Sequence, residues 1–480
     1  MNGALEAART GLAGRQAWLV GGAIRDRVLG RPTQDVDVVV EGDPAEAAHA
    51  VARAAGRATC FALSEEFGAW RVVARDSSWQ LDVEPLRGGS VEADLAMRDF
   101  TVNAIAEPIE GGAPIDPLGG LADLAAGRLR MAGAGAFADD PLRVLRLVRV
   151  AVELDLEPED STLRGASAQA GGLREVSAER VFIELRRIIA AQRAPWGLQT
   201  MSELGALAVV LPELEALRGV EQNRFHHRDV YGHTLEVLER TIALTTAGDG
   251  RARAPIESLG EHETEVQALL AEPLADRLTR GDALRWGALL HDAAKPLTRE
   301  IRPSDGRVTF IGHDLRGAEL ADTVLERLHA SVRLRAHVAA LVRHHLRLGF
   351  LVHESQPLSA RTVFAYLYAC SPVEVDVTML SVADRLATRG DRAQESIDAH
   401  MNVARGLLRD ALRWRAEGPP RALIRGDELA EELAIPLGPR IGQILRELTA
   451  AQYAGELATR EDALLYSRNL IAEGDGAAGR

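Results

Sequence analysis

Cysteine is almost missing from this chain: Cys60 and Cys370 stand far apart among 480 residues. That count excludes a disulfide framework and a cysteine-ligated zinc site, and it predicts a reducing compartment. No run of about 18 apolar residues occurs, so no membrane-spanning helix is expected. The opening stretch MNGALEAARTGLAGRQ lacks the basic-then-apolar pattern of an export signal. A cytoplasmic protein without a membrane partner is the expectation. An excess of positive charge is lacking too, with 56 Lys and Arg against 70 Asp and Glu and a net charge of −14. Such a balance argues against a surface that grips nucleic acid indiscriminately, while leaving room for a local basic stripe.

At 480 residues the chain exceeds what one core organises, and roughly three or four modules of about 100–200 residues are expected. Residues 1 to about 125 alternate strand-like and helix-like pieces (QAWLVGG, AIRDRVLG, DVDVVVEG, PAEAAHAVARAAG, WRVVARD, WQLDVEPLR), the pattern of an α/β module. Helical periodicity dominates thereafter. Gly and Pro interrupt it near GAGAFADDP (133–141), GVEQNRFHHRD (219–229) and AEGPPRALIRGDE (416–428). These breaks divide the chain into 1–130, 131–220, 221–415 and 416–480. The stretch 245–282 reads as an irregular insertion or a pair of loose helices.

Three features carry chemistry. On the strand DVDVVV, alternation turns Asp35 and Asp37 to one face and Val36, Val38 and Val40 to the other. Two like charges beside a core are costly unless a cation lies between them, and a hard divalent ion suits carboxylate oxygens. Gly21 and Gly22 sit between an apolar strand and a helix, where free backbone N–H groups suit a phosphate. In DDPLRVLRLVRV, Arg143, Arg146 and Arg149 recur every third residue and form a stripe, with Leu142, Val144, Leu145 and Val148 available to pack inward.

In order, GGAIRD (21–26), DVD (35–37), MRDFTVNAIA (97–106), IDPLGGLADLAAGRLR (115–130), DDPLRVLRLVRVA (139–151) and SAERVFIELRRI (177–188) resemble the class II tRNA nucleotidyltransferase and bacterial poly(A) polymerase family. The resemblance implies an α/β, polymerase-β-like nucleotidyltransferase head, an all-α neck, an HD domain and C-terminal helices. It implies that Asp35 and Asp37 hold magnesium for in-line attack of an RNA 3′-hydroxyl on the α-phosphate of a nucleotide. Asp82 in QLDVEP is the candidate third carboxylate, with Glu84 on the same face as the alternative. Gly22, Arg25 and Arg98 match the triphosphate-binding residues. Asp99 and Asn103 would orient the turn and the sugar. Asp140 and Arg143 match the pair that reads the base of the incoming nucleotide, and Arg146 a further nucleotide-binding arginine. Two departures are visible: Met97 replaces the first of two arginines in the RDFT motif, and Asp139 stands where glutamate is usual. The implied activity is addition of C, C and A to tRNA from CTP and ATP. CC-adding, A-adding and poly(A)-polymerising enzymes share these motifs.

Farther on, His233, His291-Asp292, His313, His344-His345 and Asp384 occur in the order H…HD…H…HH…D, which resembles an HD-domain phosphohydrolase. The resemblance implies a metal site of His233, His291, Asp292 and Asp384, with His313 and His344 or His345 completing a second metal or orienting a phosphate. Imidazole with carboxylate favours manganese, nickel, cobalt, zinc or iron over magnesium. A chain from another class, an HD phosphohydrolase whose front half only senses nucleotide, is the alternative. The final segment resembles the family's tRNA-engaging end. There Pro439 is expected to open a helix, and Thr459 with Asp462 to cap the last one.

Overall fold

A computed structural model describes residues 2–33, 35–56, 58–64, 68–222, 228–246, 259–388 and 393–477. The chain falls into two compact units, Met1–Val210 and Leu211–Arg480.

The first unit begins with a six-stranded sheet in the order β3-β4-β5-β2-β1-β6. Its strands are β1 (Ala17–Val20), β2 (Asp35–Val40), β3 (Thr59–Ser64), β4 (Ala69–Val73), β5 (Gln80–Pro85) and β6 (Ala106–Pro108). Within this sheet, among the described residues, only β2 and β5 run parallel. Val36, Val38 and Val40 are fully buried with Leu19, Val72, Leu81 and Val83, beneath helices α1 (Asn2–Gly11) and α3 (Pro44–Ala54). Alternation sends Val39 to the other face, where it meets Val20 and, from α4 (Val91–Ala96), Val91 and Leu95. The period-two pattern of DVDVVV therefore separates an apolar face from a face that is apolar only where α4 covers it. The short helix α2 (Gly22–Val28) follows β1 directly. The sequence pattern marks β1, β2, β4 and β5 but neither the three-residue β6 nor β3, whose TCFALS is largely exposed and lacks clean alternation.

After the sheet the chain continues through the helices Arg143–Leu154, Asp160–Gln169, Ala178–Ala190 and Ala194–Glu203. Val144, Leu145, Leu147 and Val148 are buried, as expected from their spacing. The arginine stripe is not a solvated face. Arg149 is buried and ion-paired to buried Glu184 at 2.6 Å, and Arg187 takes Glu153 in a two-pronged contact of 2.7 and 2.8 Å.

The second unit is mainly helical. Val230–Thr245, Arg280–Leu290, Val332–His344, Glu374–Ala387 and Ala393–Glu417 contribute to its core, which includes Val237, Leu284, Leu341, Leu380 and Leu407. In the described part of the 245–282 stretch, a helix Glu263–Leu270 and a small hairpin, Pro273–Ala275 with Leu278–Thr279, lead into a capping box of Thr279 and Asp282. Residues 247–258 of that stretch lie outside the described residues. The last helices, Gly426–Glu432, Pro439–Tyr453 and Arg460–Ala477, form a separate cluster around Leu429, Ile441, Leu448 and Leu464. Pro439 does open its helix, and Thr459 and Asp462 bond reciprocally at 2.9 and 3.1 Å as the capping pattern predicted. Among the described residues no single helix is long and apolar enough to cross a membrane.

One buried polar cluster ties three of these helices together. Asp376 is fully buried, ion-paired to Arg280 and 3.4 Å from His337. The same three helices lead into or carry His291, His345 and Asp384 farther along the chain.

Candidate active sites

At the first site, the parallel register sets Asp37 beside Asp82 and Asp35 beside Gln80. Glu84 lies opposite Val39, one step further from the aspartates, and bonds Arg87 at 3.0 Å. Of the two candidates Asp82 is thus the neighbour of Asp37. Both Asp82 oxygens, however, are held by Arg71 of β4 at 2.7 Å each. Such a fork is a strong, charge-balanced pair.

Gly21 ends β1 with φ 72° and ψ −135°, a conformation nearly confined to glycine. A β-carbon there would lie 3.3 Å from Nη1 of Arg98, 3.6 Å from Oδ2 of Asp37 and 3.8 Å from the Asn103 carbonyl. Glycine, an arginine and a catalytic-type carboxylate thus converge on one spot. The other edge of the Arg98 guanidinium, Nε and Nη2, is fixed on buried Asp94 at 3.2 Å. Arg25, in α2, donates to Asp26 at 2.8 Å and to Asn103 at 2.6 Å, and Asn103 donates to Asp99 at 3.0 Å. Arg146 closes this chain against Asp99 at 3.0 Å. Burial raises the Asp99 carboxyl, but Arg146, Asn103 and the Phe100 amide outweigh it and hold the group below its ordinary value. The head turn and the helix Arg143–Leu154 are therefore joined by one charged relay.

Arg143 donates to the carbonyls of Met97 at 3.0 Å, Ala136 at 3.0 Å and Arg98 at 3.4 Å. Asp140 accepts from the Leu142 amide at 3.2 Å and from Arg180 at 2.8 Å. No sequence pattern singles out Asp94, Arg71 or Arg180 as members of this site. Arg180 lies within the recognised stretch SAERVFIELRRI, but no local pattern says that it meets Asp140, 40 positions away.

The second site gathers His233, His313 and Asp384 from three helices, and His291-Asp292 and His345 from the C-terminal ends of two others. Two overlapping sets could each hold a metal ion: His233, His291 and Asp292, and then Asp292, His313 and His345. Asp292 is common to both. His233 Nε2 lies 3.0 Å from Asp384, His291 Nε2 lies 3.1 Å and His313 Nε2 3.3 Å from Asp292. The Nδ1 atoms of His291, His313 and His345 each meet a carbonyl three residues back, at 2.8, 2.7 and 2.6 Å. This contact directs Nε2 inward, as metal-binding imidazoles require. Nε2 of His291 and of His313 is buried and faces Asp292 without hydrogen-bonding alignment, which fits an ion shared by these groups better than a plain polar core. Of the pair His344-His345 only His345 takes part. His344 accepts from Arg347 at 2.8 Å, since neighbours on a helix point about 100° apart.

Burial opposes charge on His291, yet Asp292 and Asp384 hold its imidazole above its usual value. Burial pushes His345 down to about 4. Asp292 lies well below the usual carboxylate range although burial opposes it, because His291 and Lys295 outweigh that cost. Lys295 is the one lysine in the chain. It reaches Asp292 at 2.7 Å and Gln222 at 2.7 Å. A single lysine, three residues past His-Asp, was a legible signal that the motif order alone did not use.

Comparison with known proteins fits this geometry. Residues 17–130 match the family model of the poly A polymerase head domain, 155–217 that of the probable RNA and SrmB-binding site of polymerase A, and 260–389 that of the HD domain. His233 thus lies ahead of the matched HD span. The chain is 35% identical over 466 residues to the A-adding tRNA nucleotidyltransferase of Deinococcus radiodurans, covering 96% of this chain and 97% of that one. It is 32% identical to the CC-adding tRNA nucleotidyltransferase of Thermus thermophilus, covering 95% and 94%. Among solved structures, the Thermotoga maritima CCA-adding enzyme complexed with tRNA superposes with a TM-score of 0.59 at 19% identity, covering 98% of this chain and 94% of that one. At that identity it speaks for the fold. The chain belongs to the tRNA nucleotidyltransferase and poly(A) polymerase family, with an HD domain following the polymerase head and RNA-binding segment.

Proposed function

We propose that this chain adds nucleotides of the CCA terminus to the 3′ end of cytoplasmic tRNA, taking CTP and ATP as donors. The observation that carries the proposal is the convergence of Gly21, Asp37 and Arg98 at the end of β1. Asp35 and Asp37 offer the hard oxygen donors that suit magnesium, and the bound ions would polarise the attacking hydroxyl and the phosphate oxygens. Asp82, held by Arg71, supports Asp37 from the neighbouring strand as the third carboxylate. Arg98 and Arg25, with the Gly22 turn, bind the triphosphate, whose leaving pyrophosphate needs fixed positive charge. Arg146 keeps the Asp99–Asn103–Arg25 relay in register with the helix that carries Arg143.

Base selection falls to Asp140 and Arg143. Cytosine and adenine both present an exocyclic amine where uracil and guanine present a carbonyl. A carboxylate that only accepts therefore favours C and A, and Arg143, whose Nε is not among the nitrogens bound to carbonyls, supplies a donor to the ring. The A-adding and CC-adding names of two relatives leave open which part of C, C, A is added. The test is incubation of the purified chain with tRNAs ending before CCA, after one C and after CC, with CTP and ATP separately. Extension by one to three nucleotides, abolished by Asp37→Ala, is expected. Absence of extension on all three tRNAs, or near-normal extension by Asp37→Ala, refutes the proposal.

A second activity is favoured by the buried imidazole nitrogens that converge on Asp292 in the HD site. The site would bind manganese, nickel or cobalt through His233, His291, Asp292 and Asp384, with His313 and His345 on the far side of Asp292. The bound metal would supply a nucleophilic water for phosphoester hydrolysis.

A further inference from the structure

We infer that Arg180 is a specificity-determining positioning residue, which holds Asp140 in the orientation that accepts from the base amine. The inference rests on the assignment of base selection to Asp140. Four constraints converge on that carboxylate. Pro141 disfavours the helical region for the residue before it, and Asp140 is extended at φ −150° and ψ 101° between two helices. Pro141 is itself seated against Gly172, where a β-carbon would lie 2.8 Å from the proline ring and has no room. The Leu142 amide fixes one carboxylate oxygen at 3.2 Å. Arg180, in the first turn of Ala178–Ala190, fixes the other at 2.8 Å.

Arg180 is the one charged partner in this set. The guanidinium is half-exposed, so the pair adds little to stability. Its effect is on direction. Paired with Arg180, the Asp140 carboxylate keeps its acceptor oxygens aimed one way and does not rotate to meet uracil or guanine. The other candidate pairing, Asp140 with Arg143, is not made, since the Arg143 donors are on the carbonyls of Met97, Arg98 and Ala136.

The test compares the full chain with Arg180→Ala, Arg180→Lys, Asp140→Ala and the double Ala variant. The measured quantity is the ratio of kcat/KM for the nucleotide that the chain incorporates to that for UTP and GTP. Arg180→Ala is expected to lower this ratio roughly tenfold, the lower part of what one base-edge contact commands. Arg180→Lys should retain most of it, because a single donor is used. The double variant should discriminate no worse than Asp140→Ala alone. If Asp140→Ala loses selection while Arg180→Ala keeps it, the inference is overturned and base reading by Asp140 stands. If neither changes the ratio, the assignment of Asp140 falls as well. An equal loss on all nucleotides would make Arg180 a phosphate or RNA contact and also overturn the inference. Should Arg180→Ala fail to fold, Arg180→Gln takes its place under the same criteria.

Discussion

Replacing Gly21 by alanine separates the two things that position does. The backbone at φ 72° and ψ −135° costs an L side chain about 1–3 kcal/mol, a fraction of the roughly 5–15 kcal/mol that holds a domain folded. The protein should therefore fold, with a melting temperature lower by about 2–4 °C per kcal/mol. Catalysis is hit differently. The new methyl sits 3.3 Å from Nη1 of Arg98, and Arg98 cannot simply step aside because Asp94 grips its other edge twice at 3.2 Å. The methyl also occupies the approach of a phosphate to Arg98 and Asp37. A misplacement of about 1 Å at a reacting centre can cost on the order of a hundredfold in rate. Gly14→Ala is the control, with φ 75° and no atom within 4 Å of its β-carbon. Nucleotide incorporation and thermal melting are measured on both variants. Similar melting shifts with a roughly hundredfold activity loss for Gly21→Ala alone are expected. Full activity in Gly21→Ala, or equal loss in Gly14→Ala, refutes the reasoning.

Asp376→Ala leaves Arg280 buried without its counter-charge, a loss of about 3–5 kcal/mol, to be read by urea unfolding; an unchanged midpoint would show that the cluster does not clamp the helices. Burial pushes His400 down to about 4 from 6.5, so the unfolded chain takes up its proton first as pH falls. Stability is then full above pH 6.5 and declines toward pH 4 by up to about 3 kcal/mol. His400→Gln should flatten that limb, and a parallel limb in the variant would count against it. His291→Ala or Asp292→Ala should abolish calorimetric binding of manganese or nickel and any phosphoesterase activity while leaving magnesium-dependent nucleotide addition; loss of addition in a folded variant would show that the two sites act together.

Local pattern carried much of this protein. The alternation of Asp35, Val36, Asp37 and Val38, the glycine pair after a strand, the arginine repeat and the Thr459–Asp462 cap were legible because period and short spacing dictate them. The order of His233, His291-Asp292, His313 and Asp384 was legible through its resemblance to HD-domain phosphohydrolases, not through any period. Other decisions needed the tertiary structure. Arg71 meets Asp82 through strand register, Arg143 meets carbonyls of a segment more than forty residues earlier, and Arg180 meets Asp140 across two helices. Helix rotation, not sequence order, brought in His345 and turned His344 away. A side chain's partner is set by which faces pack together, and that depends on distant residues whose contacts leave no periodic trace along the chain.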